Sequence, residues 1–141
     1  MSIQEEAGLI LKLYELRREE TMRKARDWYF RDFNPQSMAD FSAAIFGEHS
    51  GHVRMVVTYW EMAASFITAG VLHQELFLQS GQELLFVWEK IRDIVPEWRT
   101  AYGNPKIMAN VETVSKAAIE FMNRGNAKAY ETFSARVRGI R

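Results

Sequence analysis

Apolar residues recur along this chain at the spacing of helix faces and almost nowhere with the alternation of a strand. Near the start, Ile3, Ala7, Ile10 and Tyr14 form one stripe, widened by Leu9, Leu13 and Leu16. Ser2 and Glu5 stand at capping-box spacing, where hydroxyl and carboxylate satisfy free amide donors of a first turn. The stripe fades from Arg17 to Asp27, where nearly every residue is charged or small, and returns at Trp28, Tyr29 and Phe33. Within the charged stretch, Glu19 with Arg23 and Glu20 with Lys24 are i,i+4 pairs in the favoured order. One continuous helix of ~30 residues would be ~45 Å long, which exceeds the width of a compact domain of this size. The pattern therefore predicts a long N-terminal helix that either kinks in the charged stretch or projects.

Asn34-Pro35 ends this segment and starts a short helix over about 36–47, with Met38, Phe41, Ala44 and Ile45 on its apolar side. Glu48-His49-Ser50-Gly51 reads as a turn, with Ser50 as N-cap of a helix over about 51–69. The apolar face of that helix (Val53, Val56, Val57, Trp60, Ala63, Ala64 and Ile67) is broad enough for the centre of a bundle. Gly70 suits the left-handed position beyond its end. A helical turn is expected over 74–79. A helix over about 81–95 follows, capped by Ser80 and stopped by Pro96. The stretch 97–103 stays open, with Trp98 and Tyr102 at i,i+4. Asn104-Pro105 opens a helix to about residue 123, Arg124-Gly125 breaks it, and a last helix runs over about 126–137. The reading is an all-α, single-domain helical bundle of five to seven helices. Residues 1–33 form its long N-terminal helix and residues 34–141 its body.

Composition narrows the setting. With 141 residues, 48% of them hydrophobic and 13% aromatic, the chain can bury a core without staples. It has no cysteine, which excludes disulfides and thiolate zinc sites and suits a reducing compartment. Eighteen basic and eighteen acidic residues cancel. No overall field then draws the chain to nucleic acid, and no nucleic-acid partner is expected. The opening residues are acidic where a secretory signal needs basic charge. The longest weakly polar run, 62–72, is shorter than the ~18–20 residues of a transmembrane helix. The expected location is cytoplasmic.

Few residues suggest chemistry. No phosphate-cradling glycine loop, serine elbow or His-Glu-x-x-His motif occurs, and no cofactor is expected. His49 and His52 are weak metal candidates, since Ser50 and Gly51 place a helix boundary between them. No glutamate has a histidine three residues on, which argues against a bundle di-iron centre. Glu61 and Glu89 stand out because each follows a tryptophan on an apolar helix. If Trp60 and Trp88 face the core, these carboxylates lie about 100° round, at the edge of the buried stripe. A carboxylate there needs a partner, and Arg54, Arg92 or Arg99 is available. Boundary salt bridges are one reading. The other is a polar inter-helix ligand site built from Glu61, Glu89, Arg92, Arg99, Trp60 and Trp88. The basic tail (Arg124, Lys128, Arg136, Arg138, Arg141) fits helix C-terminal capping.

The motifs Tyr59-Trp60-Glu61-Met62-Ala63, Gly70-Val71-Leu72 and Glu75-Leu76-Phe77, with Trp88 and Arg99, resemble the pattern of a bacterial family. That family consists of small helical proteins with no assigned function, some carrying N-terminal membrane helices. The likeness spans about residues 53–115 and implies a helical fold without an activity. Where the family often has an acidic cap after its glycine turn, this chain has His73. The combined expectation is a non-catalytic interaction or regulatory module that self-associates as a homodimer through its N-terminal helix. The alternative is a small-ligand binder or enzyme using the Glu61 and Glu89 region.

Overall fold

The computed structural model describes residues 1–139; Arg141 of the basic tail lies outside the described residues. Among them the chain forms nine helices and no strand. These are α1 (Ile3–Arg17), α2 (Glu20–Arg31), α3 (Met38–Ile45), α4 (Ser50–Thr68), α5 (Gln74–Leu78), α6 (Glu83–Ile91), α7 (Val95–Tyr102), α8 (Ala109–Gly125) and α9 (Ala129–Gly139). The all-α expectation holds, with more and shorter helices than the five to seven read from spacing.

The expected long N-terminal helix is two helices, kinked within the charged stretch. Its first cap is as expected: the Ser2 hydroxyl accepts from the Glu5 amide, and the Glu5 carboxylate accepts from the Ser2 amide. The break falls at Arg18-Glu19. Glu19 leaves the helical conformation and its carboxylate accepts from the amides of Thr21 and Met22, capping α2. Glu19 and Glu20 thus serve a helix start instead of the middle of a continuous helix. Arg26 then clamps the elbow: its guanidinium forks onto Glu83 at 2.6 and 2.8 Å and also donates to the Arg17 carbonyl. Burial of α2 explains the kink. Met22, Ala25 and Tyr29 enter the core only if α2 turns back against α4.

Those two amides hold the Glu19 carboxyl below its ordinary value of 4.5. A depressed folded-state pKa stabilises the fold above the unfolded value, and that stability is lost as pH falls through the folded value. The melting-temperature gap between wild type and Glu19→Ala should therefore be full at about pH 7 and shrink as the pH falls below the ordinary value of 4.5. A gap that persists in acid would show that charge is not what caps α2.

The helix α4 is the central column. Val53, Val56, Val57, Trp60, Ala63, Ala64 and Ile67 are all buried, and α2, α3, α6 and α8 pack around it. It begins one residue early. His49 is the cap position, and the Ser50 hydroxyl accepts from Arg54 instead of capping. Gly70 (φ 78°) ends α4 and Gly103 (φ 63°) ends α7, both in the left-handed region that suits glycine. Pro96 starts α7 instead of merely stopping the helix before it, since proline at a first turn has no amide to leave unbonded. The helix expected from Ser80 begins at Glu83, without a side-chain cap. The helix expected from Asn104-Pro105 begins at Ala109, because Asn104 uses its side chain to accept from Lys106 in a turn. His73 caps α5 with no side-chain hydrogen bond, and its amide donates to Glu6 of α1. Among the described residues no helix is long and apolar enough to cross a membrane.

Candidate binding cleft

The sequence candidates do not meet in one place. They divide between a buried polar knot, a helix start and a loop wall. Glu89 on α6 is fully buried. Its carboxylate accepts from the hydroxyls of Tyr130 (2.8 Å) and Ser134 and from Arg138 at 3.3 Å, all on α9. Arg92, one turn along α6, lies 3.4 Å from the same carboxylate and donates to the Tyr130 hydroxyl. Arg138 also reaches Asp93 at 2.9 Å. This cluster fastens α9 to α6. Burial, and then the bond to Glu89, push the Tyr130 hydroxyl above its ordinary value of 10.0. Trp60 and Trp88 are core side chains.

Glu61 found no arginine. Its carboxylate accepts from the Asn110 amide, the Asn110 side chain and the Val111 amide, so it caps the first turn of α8 from a neighbouring helix. Amides and carboxylate charge favour each other at a helix start. Arg99 on α7 donates to the Ile107 carbonyl at 2.8 Å and pairs with Glu112 at 3.0 Å. Between these two anchors Met108 adopts a left-handed backbone, φ 55°, the one non-glycine residue to do so among those described. That conformation costs roughly 1–2 kcal/mol. The Arg99 and Glu61 bonds on either side hold it in place.

The strained segment is one wall of a cleft of about 290 Å³. The opposite wall is the face of α4 carrying Val53, Arg54, Val57, Thr58 and Glu61, with Ile45 from α3 below and Trp98 and Tyr102 from α7 at the side. The lining is mainly apolar, with polar groups confined to α4 and the tyrosine. Such a concave, mostly apolar site with a few convergent polar groups is the usual form of a ligand pocket. So two of the six sequence candidates shape this cleft: Glu61 lines it and Arg99 holds its far wall. Glu89 and Arg92 do not line it. The contributors missed in the sequence are Arg54 as a lining group, Trp98, and the 107–108 wall. The sequence signal was available only for Trp98 with Tyr102, at i,i+4.

The two histidines come together elsewhere. Their rings lie 5.5 Å apart, and Trp28 stacks on His49 at 4.7 Å. Among the described residues no group of three or more His, Cys, Asp or Glu side chains gathers as metal ligands.

Sequence comparison agrees with the resemblance carried by the central motifs. A family model described as a domain of unknown function, DUF4760, matches residues 2–118. These include α1 to α7, the whole cleft lining and most of α8, and they stop short of the α9 partners of Glu89. Neither the curated proteins nor the solved structures gave a match. The chain belongs to the DUF4760 family of domains of unknown function.

Proposed function

We propose that this chain is a non-catalytic helical interaction module and that it pairs with a second copy of itself through α1. The observation that carries the reading is the distribution of burial on that helix. Of fifteen residues only Leu13 is buried. Leu9 and Ile10 lean on the body, and Tyr59 donates to the Leu13 carbonyl. The neighbouring flank leaves Ile3 74%, Leu11 67% and Tyr14 46% exposed, with Ala7 between them. Residues 3, 7, 11 and 14 follow the 4-4-3 spacing of a helix seam. Exposed leucine or tyrosine is ordinary when scattered, but a continuous stripe on a lightly docked helix calls for a cover.

Charge favours a second copy as that cover. Glu5 and Glu6 lie in the first turn of α1, whereas Lys12 lies in its second half beside Glu15, Arg17 closes it beside Glu83, and Arg18 follows as its cap. Two copies placed antiparallel about a two-fold axis set acidic starts against basic ends and oppose the helix dipoles. A cytoplasmic setting fits the cysteine-free composition.

Sedimentation equilibrium over a range of concentrations tests the reading. Wild type should fit a monomer–dimer equilibrium, and Leu11→Arg should weaken it by ~10-fold or more, ~1.4 kcal/mol. Because Leu11 is exposed, the melting temperature of the variant monomer should barely move. A wild-type chain that stays monomeric at the highest concentration would overturn the proposal.

A further inference from the structure

The cleft between α4 and α7 has its own unsatisfied chemistry, independent of α1. Its lining is mostly apolar, and its volume of about 290 Å³ is close to the lower end, ~300 Å³, of small-molecule pockets. Its two charged groups decide what else an occupant needs. Glu61 contributes a carboxylate that is already satisfied by three donors at the start of α8. Arg54 contributes a guanidinium whose Nε donates to Ser50, and no acid pairs with it among the described residues. Trp98 contributes the apolar part of its ring; its indole N–H is buried and turned away from the open cleft.

The Arg54 charge, with no acid partner among the described residues, matches an anion, and the walls match an apolar body. We infer that the cleft binds a small monocarboxylate with an aromatic or branched apolar body. The carboxylate pairs with the Arg54 guanidinium, whose planar fork matches two carboxylate oxygens. The body lies on Trp98 and between Val57 and Met108. An amine of the same shape has no anion to offer Arg54, and a doubly charged acid would place its second charge against apolar walls or near Glu61. The strained 107–108 wall has a reason to exist here, since left-handed backbone held by its neighbours is a common feature of ligand sites.

The probe is 3-phenylpropionate, with 3-phenylpropylamine as its matched cation. Both are titrated into the full-length chain while the Trp98 indole N–H resonance is followed, assigned with Trp98→Phe. The acid should bind saturably and shift that resonance as the ring of Trp98 is covered, and the amine should not. Arg54→Gln should weaken acid binding by roughly 10-fold or more. Arg54 is exposed, so its melting temperature should stay at the wild-type value. Val57→Trp, which fills the cleft, should abolish binding even where Arg54 is intact. Equal affinity for acid and amine, or for wild type and Arg54→Gln, would overturn the inference. So would the absence of saturable acid binding by a folded wild-type chain. None of these outcomes depends on whether α1 pairs.

Discussion

Lys90→Met should lower the stability of the fold by about 3–5 kcal/mol. Lys90 is 2% exposed, yet its ammonium is well served. It donates to the carbonyls of Tyr29 and Phe30 at 2.8 Å, to that of Phe33 at 2.9 Å and to the Asn34 side chain at 3.2 Å. The first two carbonyls belong to the last turn of α2, which has no further amides to bond, and the third follows it. The positive charge also lies at the negative end of the α2 dipole. Methionine keeps much of the stem volume but supplies no donor. Each buried carbonyl left without a partner costs ~1–3 kcal/mol, and two or three are affected. Urea unfolding with wild type as reference measures the loss. At ~2–4 °C per kcal/mol for a chain of this size, the melting temperature should fall by about 10 °C. A loss below ~1 kcal/mol would mean that water reaches α2's end and satisfies those carbonyls.

Glu89→Ala should cost about as much, ~3–5 kcal/mol, and its effect should be concentrated at α9. The substitution removes the acceptor shared by Tyr130, Ser134, Arg92 and Arg138 and leaves two guanidinium groups without their buried counter-charge. The remaining hold on α9 is the exposed Arg138–Asp93 pair, the Arg92–Tyr130 bond and apolar contact: Val137 is buried, and Phe133 meets Phe86 edge-on at 6.1 Å. Amide hydrogen exchange should show α9 losing protection well before α2 and α4 do. Glu89→Gln, which keeps an acceptor but no charge, should fall between wild type and alanine. The Tyr130 hydroxyl should then titrate closer to its ordinary value, since one cause of its upward shift is gone. Uniform loss of protection across the chain would show that Glu89 supports the whole core and not one helix.

Both residues illustrate where sequence reading stops. Glu89 is legible as an odd carboxylate on an apolar helix, and Arg92 as an available partner. Its main donors are not legible, because Tyr130, Ser134 and Arg138 are more than forty positions away and become neighbours only when α9 folds back. Arg138 looks like a helix C-terminal cation and is an ion-pair partner. Lys90 draws no notice, since a lysine beside Glu89 on a helix usually reaches solvent. Glu61 reads from its position as a carboxylate in need of a partner, with an arginine as the expected one. The amides of α8 take that role, and backbone donors carry no residue signature.

What the linear order of residues determined was local. Apolar spacing of three and four determined helix as the only regular element among the described residues, Ser2 with Glu5 determined the first cap, and Gly70 the end of α4. These depend on contacts within a few positions, which a pattern records directly. The tertiary structure decided the rest: the elbow at Glu19, the buried seats of Lys90 and Glu89, and the cleft that gathers Arg54, Glu61 and Trp98. Each depends on burial by a distant helix. Burial changes the cost of leaving a polar group unpaired by several kcal/mol, and spacing along one helix contains no term for what will cover it.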